Sequence, residues 1–226
     1  MRSPRTAALP AVAIAGQLAF VAAWVIAGRL EPGYSAADQT VSELAAGGAA
    51  NPEILWLGLL ALSLSDGSVA LLVRDRLGLP GRLPAAMFAV AAAGVLAILA
   101  LPLDCMTSGD AGCAARVDAG DVSWRHGAHN VAAVSVQLIL VATPFAVARG
   151  LHGDPLARWA LLAGVVGVAS VLAVAASGPG EPGYGVWQRI TFGFVHLWVI
   201  ALAFATLALP SGRLANMRSC SGNHPH

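Results

Sequence analysis

The chain has 226 residues, 57% of them hydrophobic and only 11% charged, and its formal net charge is +1. A soluble domain of ordinary polarity carries about a quarter charged residues, so this composition, with a mean hydropathy of +0.71, excludes one. The near-neutral charge gives no reason to expect nucleic acid as a partner, which leaves membrane lipid as the expected solvent and partner.

Six apolar runs are each long enough to cross a hydrocarbon core, which takes roughly 20 residues of helix. They cover about 9–28, 53–73, 84–103, 127–148, 157–176 and 188–209. Backbone amides in lipid must be paired within the protein, and these runs lack the alternation of barrel strands. The expected fold class is therefore an all-α membrane protein, a six-transmembrane-helix bundle forming one unit over 1–210, with a disordered cytoplasmic tail over 211–226. No connection is long enough for a separate domain.

Sidedness follows from the basic residues, all thirteen of which are arginine. Nine of them, Arg2, Arg5, Arg74, Arg76, Arg82, Arg149, Arg158, Arg213 and Arg218, fall on one side of the runs. The positive-inside rule makes that side cytoplasmic, with both termini there. An arginine-only, Ala- and Gly-rich composition suggests a GC-rich bacterial genome, hence a multi-pass protein of the bacterial cytoplasmic membrane.

Along the chain, Arg2 and Arg5 before the first run resemble the basic start of a signal peptide. The run is longer than a usual signal core and five more follow, so it is read as a retained helix. The first outward connection holds Tyr34 and then Asp38-Gln39-Thr40-Val41-Ser42-Glu43-Leu44. Asp38 is suited to cap a short interfacial helix that turns Val41 and Leu44 to lipid or protein and Ser42 and Glu43 to water; alternatively Ser42 and Glu43 fold over the mouth of the bundle. In the second run Asp66 lies amid Ser63, Ser65 and Ser68, as a protonated or hydrogen-bonded packing residue rather than part of the outward site.

Asp104 closes the third run after Pro102-Leu103, and Cys105 and Cys113 follow in the same outward connection. A disulfide between them is stereochemically feasible and would persist outside the cytoplasm; two free thiols are the alternative. His126, His129 and Asn130 open the fourth run, and the spacing puts His126 with His129, and His126 with Asn130, on shared helix stripes. Trp124 before them suits an interfacial anchor. The fifth connection is rich in Gly and Pro, and Gln188-Arg189 begins the sixth run. Arg189 either snorkels to headgroups or pairs with Glu43, Asp104 or a phosphate. His196 falls about 12 Å below the outer end of that run by helical rise, and an intramembrane ionisable group is a functional-site candidate. Gly94, Gly164, Gly167 and Gly193 suit close helix approach.

Tyr34-Ser35, Thr40-Val41-Ser42-Glu43-Leu44, Pro102-Leu103-Asp104, His126 and Gln188-Arg189-Ile190, set in a chain of this size, together resemble the bacterial six-span membrane family known as domain of unknown function nine-nine-eight. The resemblance spans nearly the whole chain, although Gln188 stands where an acidic residue is expected before the arginine. It implies the architecture and the outward-facing residues but no activity.

Two classes of function are left open, one enzymatic and one not. In the first, Asp104, His126, His129 and His196 bind a divalent metal such as zinc, and the metal-held water attacks a lipid ester, amide or phosphate with Glu43 or Ser42 assisting catalysis. In the second, an outward polar site with Tyr34, Arg189 and Asn130 among its ligand-binding residues holds a lipid headgroup, small ligand or partner. A homo-oligomer is left open as the assembly. No HExxH, GxSxG or P-loop signature is present, and carbocation or quinone chemistry is disfavoured by an aromatic content of only 6%.

Overall fold

The computed structural model describes residues 4–178 and 180–208; the tail expected over 211–226 lies outside them. Within the described residues every regular element is helical. Six long helices, α1 (Pro4–Leu30), α2 (Pro52–Leu77), α3 (Arg82–Ala100), α5 (Trp124–Gly150), α6 (Pro155–Ser177) and α7 (Tyr184–Ala208), are joined by loops, one of which carries the short α4 (Ala111–Asp118). The six are long and apolar enough to cross a membrane.

Local chemistry sets most boundaries. Proline opens α2 and α6, where its missing amide costs nothing, and the Asp154 carboxylate accepts the Leu156 amide at 2.9 Å to cap α6. Gly78 and Gly178, at φ of 61° and 71°, end α2 and α6 in a backbone region closed to most side chains. α3 stops at Ala100, before Pro102, which has no amide to continue the ladder. The helix over α7 begins at Tyr184, four residues before the start expected at Gln188.

The long helices contact one another in the order α1, α2, α3, α5, α6, α7 and back to α1, so chain order closes a ring. Side chains on its inside, Phe88, Val69, Val73, Val95 and Val199 among them, are essentially inaccessible. Leu57, Leu64, Val131, Leu172 and Leu197 stand out on its flank, where lipid is the solvent. Trp56, Trp124 and Trp187 lie near the ends of α2, α5 and α7 that share one face, as expected of interfacial indoles.

Glycines bring particular helices close. A Cβ on Gly16 of α1 would lie 2.7 Å from Ser65 Cβ and against the Ala61 carbonyl of α2, and one on Gly58 would lie 2.6 Å from Ala23 Cβ. Gly94, Gly164 and Gly167 face Val136, Phe145 and Phe194, whereas Gly193 borders open space. The packing role expected of Gly193 therefore does not hold.

The face reached by the C-termini of α1, α3 and α6 and the N-termini of α2, α5 and α7 is covered by two loops. One, 31–51, contains a 3₁₀ helix, Val41–Ala45; the other, 101–123, contains α4 and a disulfide between Cys105 and Cys113 with Cα atoms 5.9 Å apart.

Candidate functional site

The two loops form a lid knitted mainly through backbone groups. Arg189, in the first turns of α7, donates to the carbonyls of Gln39 (2.8 Å) and Gly185 (3.0 Å) and to the Tyr34 hydroxyl, and its guanidinium lies 5.6 Å from the Tyr34 ring centre. The Tyr34 hydroxyl donates in turn to the Thr40 carbonyl at 2.8 Å. Burial raises the Tyr34 pKa, with the Arg189 cation opposing that rise. Gln188 Oε1 accepts the Val41 amide at 2.8 Å, so an amide at this position serves where an acid had been expected. Arg189 is thus a fastener of the first loop rather than a partner of Glu43 or Asp104. Gly185 is required beneath it, because a Cβ there would come within 2.6 Å of the Gln39 carbonyl oxygen.

Asp38 does not cap the short helix, whose N-cap is Thr40. Its carboxylate instead accepts the Ser35 hydroxyl (2.6 Å) and the Gly183 amide (2.9 Å), and these two bonds hold its pKa below the usual value. Of the two readings for Glu43, facing water or folding over the mouth of the bundle, the side chain does not take the first. It is buried, accepting the Ser108 amide at 2.6 Å and the Gln39 carboxamide at 3.4 Å. A 3₁₀ turn advances side chains differently from an α-helix, and the shorter of the two bonds comes from the disulfide loop, distant in sequence.

Asp104 accepts the Ser123 amide (2.5 Å) and hydroxyl (2.7 Å), which lower its pKa. That carboxylate is the N-terminal brace of α5. The Asp104 amide donates to His126 Nδ1 at 3.3 Å, and the Gly47 amide donates to the Leu103 carbonyl at 2.8 Å, which ties the two loops together. His126 and His129 share the buried face of α5, whereas Asn130 is on its exposed face.

The expected metal set is not assembled: among the described residues no three His, Cys, Asp or Glu side chains are grouped to hold an ion. Asp104 is occupied by Ser123 at the lid. His196, because α7 starts at Tyr184, lies about 18 Å down that helix rather than 12. The expected catalytic pair is also divided. Glu43 turns to the disulfide loop, while Ser42 lines the interior cavity and is bonded to neither histidine.

Below the lid, inside the ring, is a cavity of about 70 Å³ bounded by the 3₁₀ helix and by α1, α2, α3, α5 and α7. Its wall is apolar apart from Ser42, His129, Gln137 and His196. Three nitrogens of side chains that line it, His129 Nε2, Gln137 Nε2 and His196 Nε2, are inaccessible and have no hydrogen-bond partner. His129 and His196 are themselves 2% and 6% exposed. Unpaired buried polar atoms are uncommon because each costs about 1–3 kcal/mol, and three on one cavity is a concentration of such cost. Ser42, Ala133, Gln137 and Phe192 also border a second space of about 320 Å³ between α5, α6 and α7. Val134 and Leu138, on its rim, are more than half exposed on the outer surface of the ring. The interior cavity therefore adjoins a cleft facing lipid.

His196 is held on both sides. Phe20, Trp24 and Phe192 stand round its ring with centroid separations of 5.3, 5.5 and 6.4 Å. Its Nδ1 is bonded to Gln17 Oε1 of α1. Gln17 Nε2 donates to Ser65 Oγ (2.8 Å) and Asp66 Oδ1 (3.1 Å) of α2. Asp66, read from sequence as a packing residue, thus stands one amide behind His196. Gln17 and Gln137 were not anticipated. A signal was available: Gln17 is the one carboxamide of its apolar run and Gln137 lies deep within another, and such a group in lipid needs a partner.

These features sit in a chain that belongs to the family described as Protein of unknown function (DUF998), whose profile matches residues 14–205. The match takes in the whole lid, the cavity and the cleft. No curated protein and no solved structure matches the chain.

Proposed function

We propose that this protein binds a single membrane amphiphile, admitted sideways from the bilayer through the α5–α6–α7 cleft, with the ligand's polar end entering the cavity beneath the lid. One observation carries the reading: three side chains that line one largely apolar cavity, His129, Gln137 and His196, each carry a buried nitrogen without a hydrogen-bond partner. Ligand pockets are commonly apolar spaces with a few convergent polar groups. At about 10–15 Å³ per water, the inner cavity takes a small polar head but no complete lipid, and the adjoining cleft of about 320 Å³ supplies room for the start of a chain.

The lid face is proposed to be the outer face of a bacterial cytoplasmic membrane. Support comes from the arginines clustered at the opposite ends of the helices and from the Cys105–Cys113 bridge, which suits an oxidising compartment. A hydrolase built on a metal has no comparable geometric support, since its expected ligands stand apart.

The test is lipid extraction and mass spectrometry on protein purified in mild detergent, beside Ala133→Trp, which fills the junction of cavity and cleft. The wild type should retain about one amphiphile per chain through detergent exchange, and the variant should lose it while keeping its melting temperature. Equal lipid content in the two proteins would refute the reading. Sidedness is checked independently by impermeant maleimide after reduction of intact cells, which should label Cys105 and Cys113.

A further inference from the structure

We infer that the polar end recognised in the cavity is an uncharged hydroxyl group, as in a long-chain alcohol or monoacylglycerol, and not a carboxylate, phosphate or ammonium. The inference rests on the binding reading above and specifies the ligand's chemistry.

It starts from proton positions that the hydrogen bonds dictate. The Ser65 hydroxyl donates to the Ala13 carbonyl at 2.6 Å, so Ser65 Oγ can only accept from Gln17. Gln17 must therefore turn its NH₂ toward Ser65 and Asp66 and its oxygen toward His196. A carboxamide oxygen only accepts, which places the His196 proton on Nδ1 and leaves a lone pair on Nε2 of the neutral ring. The same logic applies to His129, whose Nδ1 lies 2.7 Å from the Leu101 carbonyl oxygen: its proton is on Nδ1 and its Nε2 is an acceptor. Gln137 Nε2 is an amide donor. The side chains lining the cavity thus carry two acceptors and one donor, each without a partner.

Depth adds a second constraint. By helical rise, His196 is about 18 Å from the start of α7 and Gln137 about 20 Å from the start of α5, so the two are level near the membrane centre, with His129 about 8 Å below the lid. A hydroxyl at the deeper level donates to His196 Nε2 and accepts from Gln137 Nε2, satisfying both; a second hydroxyl nearer the lid would serve His129. A carbonyl-only head leaves both imidazole lone pairs unmet, and an anionic head meets them with repulsion. The wall contains no Arg, Lys, Asp or Glu, so any charged head would be moved to the membrane centre with no counter-charge. Arg189, the nearest cation on α7, is committed to Tyr34, Gln39 and Gly185 at the lid.

Full-length protein in nanodiscs is titrated with hexadecanol, monopalmitoylglycerol, palmitate and palmitoyl lysophosphatidylglycerol, and bound probe is counted by native mass spectrometry. The alcohol and the monoacylglycerol should saturate a single site about tenfold more tightly than either anion, the equivalent of one hydrogen bond gained. Gln137→Leu, on a partly exposed side chain outside the Gln17 network, and His196→Phe should each weaken binding of the two hydroxyl probes severalfold while leaving the weak binding of the two anions unchanged. Tighter binding of palmitate or the lysolipid, or equal binding of all four, would overturn the hydroxyl assignment and leave amphiphile binding standing. Absence of saturable binding by every probe would overturn both.

Discussion

The Gln17 carboxamide joins three helices, and a double-mutant cycle between Gln17→Leu and His196→Phe measures whether it does so as a unit. Gln17→Leu leaves two groups without partners, the His196 Nδ1–H and Asp66 Oδ1; Ser65 keeps its bond to Ala13. His196→Phe leaves one, Gln17 Oε1. The double variant leaves only Asp66, so it escapes two of the penalties that the single variants suffer. At the roughly 0.6 kcal/mol average of interhelical bonds in membranes, the double variant should be about 1 kcal/mol more stable than additivity requires. At the full desolvation cost of about 1–3 kcal/mol per orphaned group, the excess would reach about 6. Reversible unfolding in bicelles, read by steric trapping, has the necessary resolution. Independent residues add within about 0.5 kcal/mol; additivity to that precision would show that Gln17 and His196 are not coupled, and the tautomer argument would fail with it.

Three further outcomes are expected. Gly16→Ala should destabilise the bundle by about 1–3 kcal/mol through overpacking against Ala61 and Ser65, whereas Gly67→Ala, with nothing within 4 Å, should be neutral or stabilising by up to about 1 kcal/mol; bicelle unfolding of both variants decides it. Reducing the Cys105–Cys113 bridge should cost about 2.5 kcal/mol for so short a loop and should raise hydrogen exchange at Ser108, whose amide bonds Glu43. Asp104 has a lowered folded-state pKa, so its contribution is present above the ordinary carboxylate value of about 3.9 and is lost as pH falls through the lower folded value. Protection of the Ser123 amide should accordingly persist in the wild type at pH 5 and be diminished in Asp104→Asn at that pH and at pH 7.

How far the lid could be read from sequence depended on where each bond originates. Arg189 stood out because it is one of four arginines on the less basic side and opens an apolar run. Its partners did not: carbonyls of Gln39 and Gly185 have no side-chain signature. For Glu43 the sequence left water and the mouth of the bundle both open, since its shorter bond comes from the Ser108 amide, which reaches it only after the disulfide loop folds back. His196 was placed too shallow because the glycine-rich stretch before α7 gives way to helix at Tyr184, and a four-residue shift moves a side chain by about 6 Å.

The amino-acid order alone determined that this is a six-helix membrane bundle, since run length and hydropathy are one-dimensional properties matched to a fixed hydrocarbon thickness. It could not show that Gln17, Asp66 and His196 form one polar chain, nor that His129, Gln137 and His196 surround one cavity. Those groups lie on different helices, and their meeting depends on which stripe each helix turns inward once the ring closes. Polar pairing across helices is settled by three-dimensional packing, where an unmatched amide or imidazole in a lipid environment has no water to turn to.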